Sequence, residues 1–256
     1  MLTTLISSLI FAQLALPPTL EEDRLRACMD EARNDPAQAI LNVSDWMVGT
    51  SGPSVSAPQQ CLGFAYMSLL RWDAARQAFT EARDARLESD SAGRARLGAM
   101  AGNAAIAAEQ HGQALVLLQA AQADATAVGN TTLAGSIASD RARALVGLGR
   151  MADGANALEE ARSLAPQDAS IWLLSATLAR RMENLANAQQ WIETAAALDP
   201  GNLSIGLEAG LVAALGGFDD AARSSWQSVI DTAPRTPEGQ TARFYLDQLD
   251  EEQLPQ

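Results

Sequence analysis

Cys61-Leu62-Gly63-Phe64-Ala65-Tyr66-Met67, followed by Ala75, Phe79 and Ala82, is the stretch whose reading decides the fold. Its intervals suit two short antiparallel helices packed closely on each other, with a turn near residue 72. Gly63 and Ala75 are small enough to let two helical backbones approach. Tyr66 and Phe79 are large enough to fill the space beside that contact.

The same arrangement returns further along the chain. Residues 169–202 place Trp172, Ala176, Ala188, Ile192, Ala195 and Pro200 at corresponding positions. Residues 203–236 place Gly210, Ala222, Trp226 and Pro234 there, and residues 135–168 place Ala142, Gly154, Leu158, Ala161 and Pro166. These three segments abut without a gap, so Pro166, Pro200 and Pro234 recur at one fixed interval. The pattern resembles the tetratricopeptide repeat (TPR) family, whose helix-turn-helix unit of about 34 residues carries W-x2-LG-x2-Y, then A-x3-F, then P. In that register the opening stretch belongs to a unit at 56–89, with Leu87 where the family prefers proline. A further unit at 95–128 carries Gly102, Ala114, Leu118 and Ala121, with Ala105 where an aromatic is expected. The resemblance is to a bacterial, exported member of the family. It implies an all-α fold, a right-handed superhelix (α-solenoid) of about five such units. Residues 90–94 and 129–134 fall outside the register, and longer helices or looser turns are expected there.

Bulk composition agrees with closely packed helices. Hydrophobic residues make up 48% of the chain and aromatics only 5%, so the core is built from alanine rather than from large side chains. The net charge of −13 repels nucleic acid and anionic lipid surfaces. All 18 basic residues are arginine. With one histidine and two cysteines the chain has few candidates for a metal cage, and neither a metal nor another cofactor is expected. A Ser-His-Asp arrangement would have to use His111, which falls at an expected inter-helix turn and reads as an exposed turn residue.

The ends depart from the repeat. Residues 1–16 contain an apolar run from Leu5 to Leu16 that stops at Pro17-Pro18 and resembles the core of a signal peptide, too short to span a bilayer. It carries no Lys or Arg and no clean cleavage motif, so a buried or unstructured N-terminal helix stays open as the alternative. Export would place the protein in the periplasm, and the alternative in the cytoplasm. Residues 19–52 form a degenerate repeat or cap: apolar residues at 25, 28, 29 and 32 mark one helix, and Asp35-Pro36 starts a second with Ala39, Ile40, Val43, Trp46 and Met47 buried. Residues 237–252 form a C-terminal capping helix with Ala242, Tyr245, Leu246 and Leu249 on one face.

Cys28 and Cys61 fall at similar depths on the first helices of neighbouring pairs. In an exported chain they make a disulfide candidate, closing a loop of about 30 residues and contributing roughly 3 kcal/mol. Two buried thiols are the other reading.

The family resemblance also implies a concave wall made from the second, fifth, ninth and twelfth positions of each unit. That stripe reads Ala57, Gln60, Phe64, Met67; Arg96, Ala99, Asn103, Ile106; Ser136, Ser139, Arg143, Val146; Ser170, Leu173, Thr177, Arg180; Ser204, Leu207, Leu211, Ala214. It contains no acid, although acids outnumber bases 31 to 18 in the chain. Arg96, Arg143 and Arg180 could hold a partner's carboxylates, with Asn103 pinning its backbone and Thr177 a further partner-binding residue of the same wall. The arginines could equally pair with Asp140, Glu183 or Glu208 on neighbouring helices. The reading is therefore a non-catalytic scaffold that holds an extended segment of another protein in its groove. A structural, self-assembling envelope component is the alternative, and a carboxylate-based glycan-acting enzyme is a remoter one.

Overall fold

The computed structural model describes residues 19–252, so the leader at 1–16 lies outside the described residues. Thirteen α-helices follow one another and no strand occurs among the described residues. They are α1 (Leu20–Asn34), α2 (Pro36–Met47), α3 (Ser56–Ser68), α4 (Trp72–Asp84), α5 (Ser91–Ala107), α6 (His111–Ala127) and α7 (Thr131–Gly147). The array continues with α8 (Met151–Leu164), α9 (Ala169–Arg181), α10 (Leu185–Leu198), α11 (Leu203–Leu215), α12 (Asp219–Thr232) and α13 (Pro237–Glu252). Each helix packs chiefly on its neighbours in sequence, which makes the molecule an all-α, right-handed solenoid of helix hairpins.

Size matching holds each hairpin closed. Gly63 of α3 lies under the ring of Phe79, Gly102 of α5 under Leu118, and Gly210 of α11 under the indole of Trp226; a methyl group on any of these glycines would overlap the facing side chain. Where the first helix carries alanine instead, at Ala142 and Ala176, the residues in the same buried clusters are the aliphatic Leu158 and Ile192. The two aromatic partners, Phe79 and Trp226, lie over glycine, as close packing at interior density favours.

The turns inside the five hairpins share one geometry. Leu70, Glu109, Gly149, Glu183 and Gly217 each adopt a left-handed conformation, with φ between 57° and 76°. The next N–H then reaches back to a carbonyl on the first helix, as from Arg71 to Tyr66 at 2.8 Å and from Asn184 to Ala179 at 2.9 Å. This is the bond pattern that satisfies the orphan carbonyls at a helix end. At Leu70, Glu109 and Glu183 a side chain is held where glycine is preferred, at about 1 kcal/mol each.

Between hairpins the chain stops differently. Ala165, Asp199 and Ala233 precede Pro166, Pro200 and Pro234, and their φ values are −136°, −142° and −146°. The proline ring disfavours a helical conformation for the residue before it, and the helix ends there. The α6–α7 joint has no proline and uses Gly129 at φ 66° instead. The residues outside the repeat register are taken up by helix length: α5, α6 and α7 are 17 residues each, against 13 in α3 and α4. In consequence α5 begins at Ser91 and α7 at Thr131, ahead of residues 95 and 135.

At the N-terminus Thr19 and Glu22 form a reciprocal cap on α1, and Asp35 caps α2 with proline in its first turn. Both helices pack on α3 through Cys28, Ala32, Ala39, Val43, Trp46, Ala57, Cys61 and Ala65. Cys28 and Cys61 are joined as a disulfide, with Cα atoms 6.1 Å apart. At the other end α13 lays Ala242 and Leu249 on α12, and the rings of Tyr245 and Trp226 lie 5.4 Å apart. One sequence expectation needs correction. His111 is not an exposed turn residue but the first residue of α6, half-buried with its ring against Gly147. The turn is complete by Gln110, so the next residue already belongs to the helix.

Candidate partner-binding face

The first helices α3, α5, α7, α9 and α11 carry the stripe read from the sequence. Most of its residues are neither buried nor fully exposed, as suits the wall of a shallow groove. The five singled-out residues do not form one site. Arg96 is exposed on α5 and makes no ion pair among the described residues. It borders a polar cleft of about 540 Å³ between α1, α3 and α5, which Ala57 and Gln60 also line.

Asn103 and Arg143 meet around one carboxylate. The Asn103 amide donates to Asp140 at 2.8 Å, the Arg143 guanidinium donates to Asp140 at 3.1 Å, and Asn103 also accepts from Arg143 at 3.5 Å. Burial pushes the Asp140 carboxyl above its ordinary value, while the Asn103 hydrogen bond and the Arg143 charge pull the other way. Arg143 stays half-exposed, so it can still present N–H groups to the groove. Arg180 is more fully engaged: Nε and one terminal nitrogen hold the buried Glu208 carboxylate at 2.7 and 3.1 Å. A bidentate pair of this kind uses the donor fork that a partner's carboxylate would need.

Thr177 and Arg143 instead line a second cleft of about 350 Å³ together with Ile106, Val146, Leu174, Leu178 and Arg181. Its floor is apolar and its rim cationic. Arg181 is exposed and unpaired among the described residues, and sequence reasoning missed it because it stands one place beyond the stripe. The sixth position of the last three units carries Asp140, Leu174 and Glu208, of which the sequence offers Asp140 and Glu208 as partners for the arginines. Those residues neutralise two of the arginines and floor the cleft.

Among the described residues no group of three or more His, Cys, Asp or Glu side chains is placed to hold a metal ion. No described helix is long and apolar enough to cross a membrane.

No family model matches the sequence, and no curated protein matches it. Solved structures do. PilW, a widely conserved type IV pilus biogenesis factor, superposes with a TM-score of 0.70 at 16% identity, over 88% of this chain and 99% of its own. PilF of Pseudomonas aeruginosa gives 0.64 at 15% identity over the same shares of the two chains. YrrB, a TPR protein with an unusual peptide-binding site, gives 0.50 at 19% identity over 73% of this chain and 90% of its own. With its size-matched hairpins, its proline-stopped joints and these structural neighbours, the chain has the tetratricopeptide-repeat fold.

Proposed function

We propose that the protein is a non-catalytic scaffold that holds an extended segment of another protein along the concave face, seated at the cleft between α5, α7 and α9. The observation that carries this reading is the unneutralised Arg181, beside Thr177 and the half-exposed Arg143, on the rim of an apolar cleft in a chain of net charge −13. A cation retained at an apolar cleft in so acidic a molecule favours an acidic segment with an apolar anchor. Arg96 extends the same preference towards the N-terminal end of the groove, and Asn103 holds Asp140 and Arg143 in place. Arg180 serves the scaffold rather than the partner, since Glu208 occupies it.

Affinity capture from the native envelope, repeated with Arg181→Glu and Arg96→Glu, tests the groove. Reversal of charge at the central cleft is expected to reduce partner recovery about tenfold or more, and at Arg96 by less. Equal recovery of the same partners by all three proteins removes the proposal.

We further infer that the chain works outside the cytoplasm. The Cys28–Cys61 bridge supports this, because such bonds persist in oxidising compartments and are rare elsewhere. Denatured protein purified from its native compartment is expected to show no titratable thiol; two would place it in a reducing one.

A further inference from the structure

Arg162 on α8 is a cation without a carboxylate partner among the described residues. Its guanidinium lies 4.1 Å from the ring centre of Trp191 and 5.6 Å from that of Trp172. One terminal nitrogen donates to Ser175 Oγ at 2.6 Å, and the buried Ser175 hydroxyl in turn donates to the Ile171 carbonyl at 2.7 Å. Burial lowers the Arg162 pKa from its ordinary value, and Glu159, one turn earlier, opposes that through its charge without closing an ion pair. The other guanidinium N–H groups donate to no described residue.

These groups face a small cleft of about 210 Å³, lined by Leu158, Leu178, Met182 and Trp191 and bordered by Asn184 and Asn187. It is not part of the groove. Leu158 and Leu178 line both the groove cleft and this one, so they form the partition between them, and here the opening lies among α8, α9 and α10. The Asn184 side-chain oxygen is spent capping α10, which leaves its amide N–H₂ as a donor at the rim.

We propose that this cleft binds the C-terminal residue of a partner polypeptide, with its α-carboxylate on Arg162 and its apolar side chain between Leu158, Leu178 and Trp191. The volume falls below the roughly 300–1,000 Å³ of small-molecule sites and suits a single residue. An apolar wall and one guanidinium over an indole ask for an apolar side chain and a carboxylate on the same carbon, which within a polypeptide only the C-terminal residue supplies. An internal Asp or Glu would answer the cation and leave the leucines and the indole poorly filled. The guanidinium, placed over the Trp191 indole and hydrogen-bonded to Ser175, keeps further N–H donors for a carboxylate.

The Trp191 indole N–H resonance, assigned with Trp191→Phe, reports occupancy in the full chain. The ligands are an acetylated Gly-Ser-Gly-Ser-Gly-Leu with a free carboxylate, the same peptide amidated, and an amidated version with Asp in place of the second Ser. The free-carboxylate peptide is expected to shift the resonance saturably at millimolar concentration. Amidation is expected to weaken binding about tenfold or more, the loss of one charge-assisted contact. Asn187→Asp places a repelling charge at the rim and should weaken the free-carboxylate peptide similarly. That variant sits in the first turn of α10, where an acid suits the helix, so its fold and the Trp72 resonance should be unchanged. No saturable shift, an equal shift with the amidated peptide, or preference for the internal-Asp peptide each overturns the proposal. Arg181→Glu separates this site from the groove: it should leave these titrations unaltered whether or not it abolishes capture of the groove's partner.

Discussion

The hairpins at the centre of the array and those that flank it solve one packing problem with different residues. In α3–α4, α5–α6 and α11–α12 a glycine lies under Phe79, Leu118 or Trp226. In α7–α8 and α9–α10 an alanine accompanies Leu158 or Ile192. The aromatic partners Phe79 and Trp226 face glycine, whereas leucine serves with either glycine or alanine. The central pairs also border the two apolar clefts that share Leu158 and Leu178, whereas the cleft beside α3 and α5 is lined mainly by polar and charged side chains. The alanine-bearing pairs at the centre thus coincide with the surfaces on which both binding readings rest.

Exchanging the two solutions is the strongest way to break this comparison. Gly63→Ala should destabilise the fold by about 2 kcal/mol, the clash with Phe79 outweighing the helix propensity gained. Adding Phe79→Leu should recover part of that loss, because it recreates the alanine–leucine pair of α7–α8. Denaturant midpoints of the two single variants and the double variant measure the coupling; additive losses would mean that the residues do not share one volume constraint.

A smaller effect sharpens the electrostatic side of the comparison. The Asp140 carboxyl of the central region is raised above its ordinary 3.8. The folded chain therefore keeps that proton to higher pH than the unfolded chain does. The resulting stability is fully present below the unfolded value and is lost as pH rises through the folded one. Asp140→Asn removes the step, so the stability of wild type relative to the variant should fall with rising pH across that window and then level off. A difference that is constant with pH would show that Asp140 titrates alike in both states.

Much of the fold was legible in the chain. The recurrence of Pro166, Pro200 and Pro234 marks where helices must stop, and the small-then-large pairs from Gly63 with Phe79 to Gly210 with Trp226 mark where they touch. Less was legible at the turns. Nothing in the side chains of Leu70, Glu109 or Glu183 announces a left-handed residue; tight closure of the packed hairpin imposes it. At the candidate site, a stripe of four positions per unit found Arg143 and Thr177 but could not say which cations were already matched. Asp140 and Glu208 project from one position beside that stripe; Asp140 meets Arg143 one turn along the same helix, whereas only the packing of α9 on α11 brings Glu208 to Arg180. Arg162 escaped for a related reason, since its significance lies in indoles that come from two later helices.

The hairpin turns have a mechanical consequence. Each occupies the same three residues between helices and closes with the same bond, whatever side chain it carries. Differences in length are confined to helices such as α5–α7 and to the connections between hairpins. The molecule behaves like a folding rule whose leaves are fixed and whose joints alone set the pitch, so inserted or deleted residues would re-aim whole leaves and leave each leaf intact.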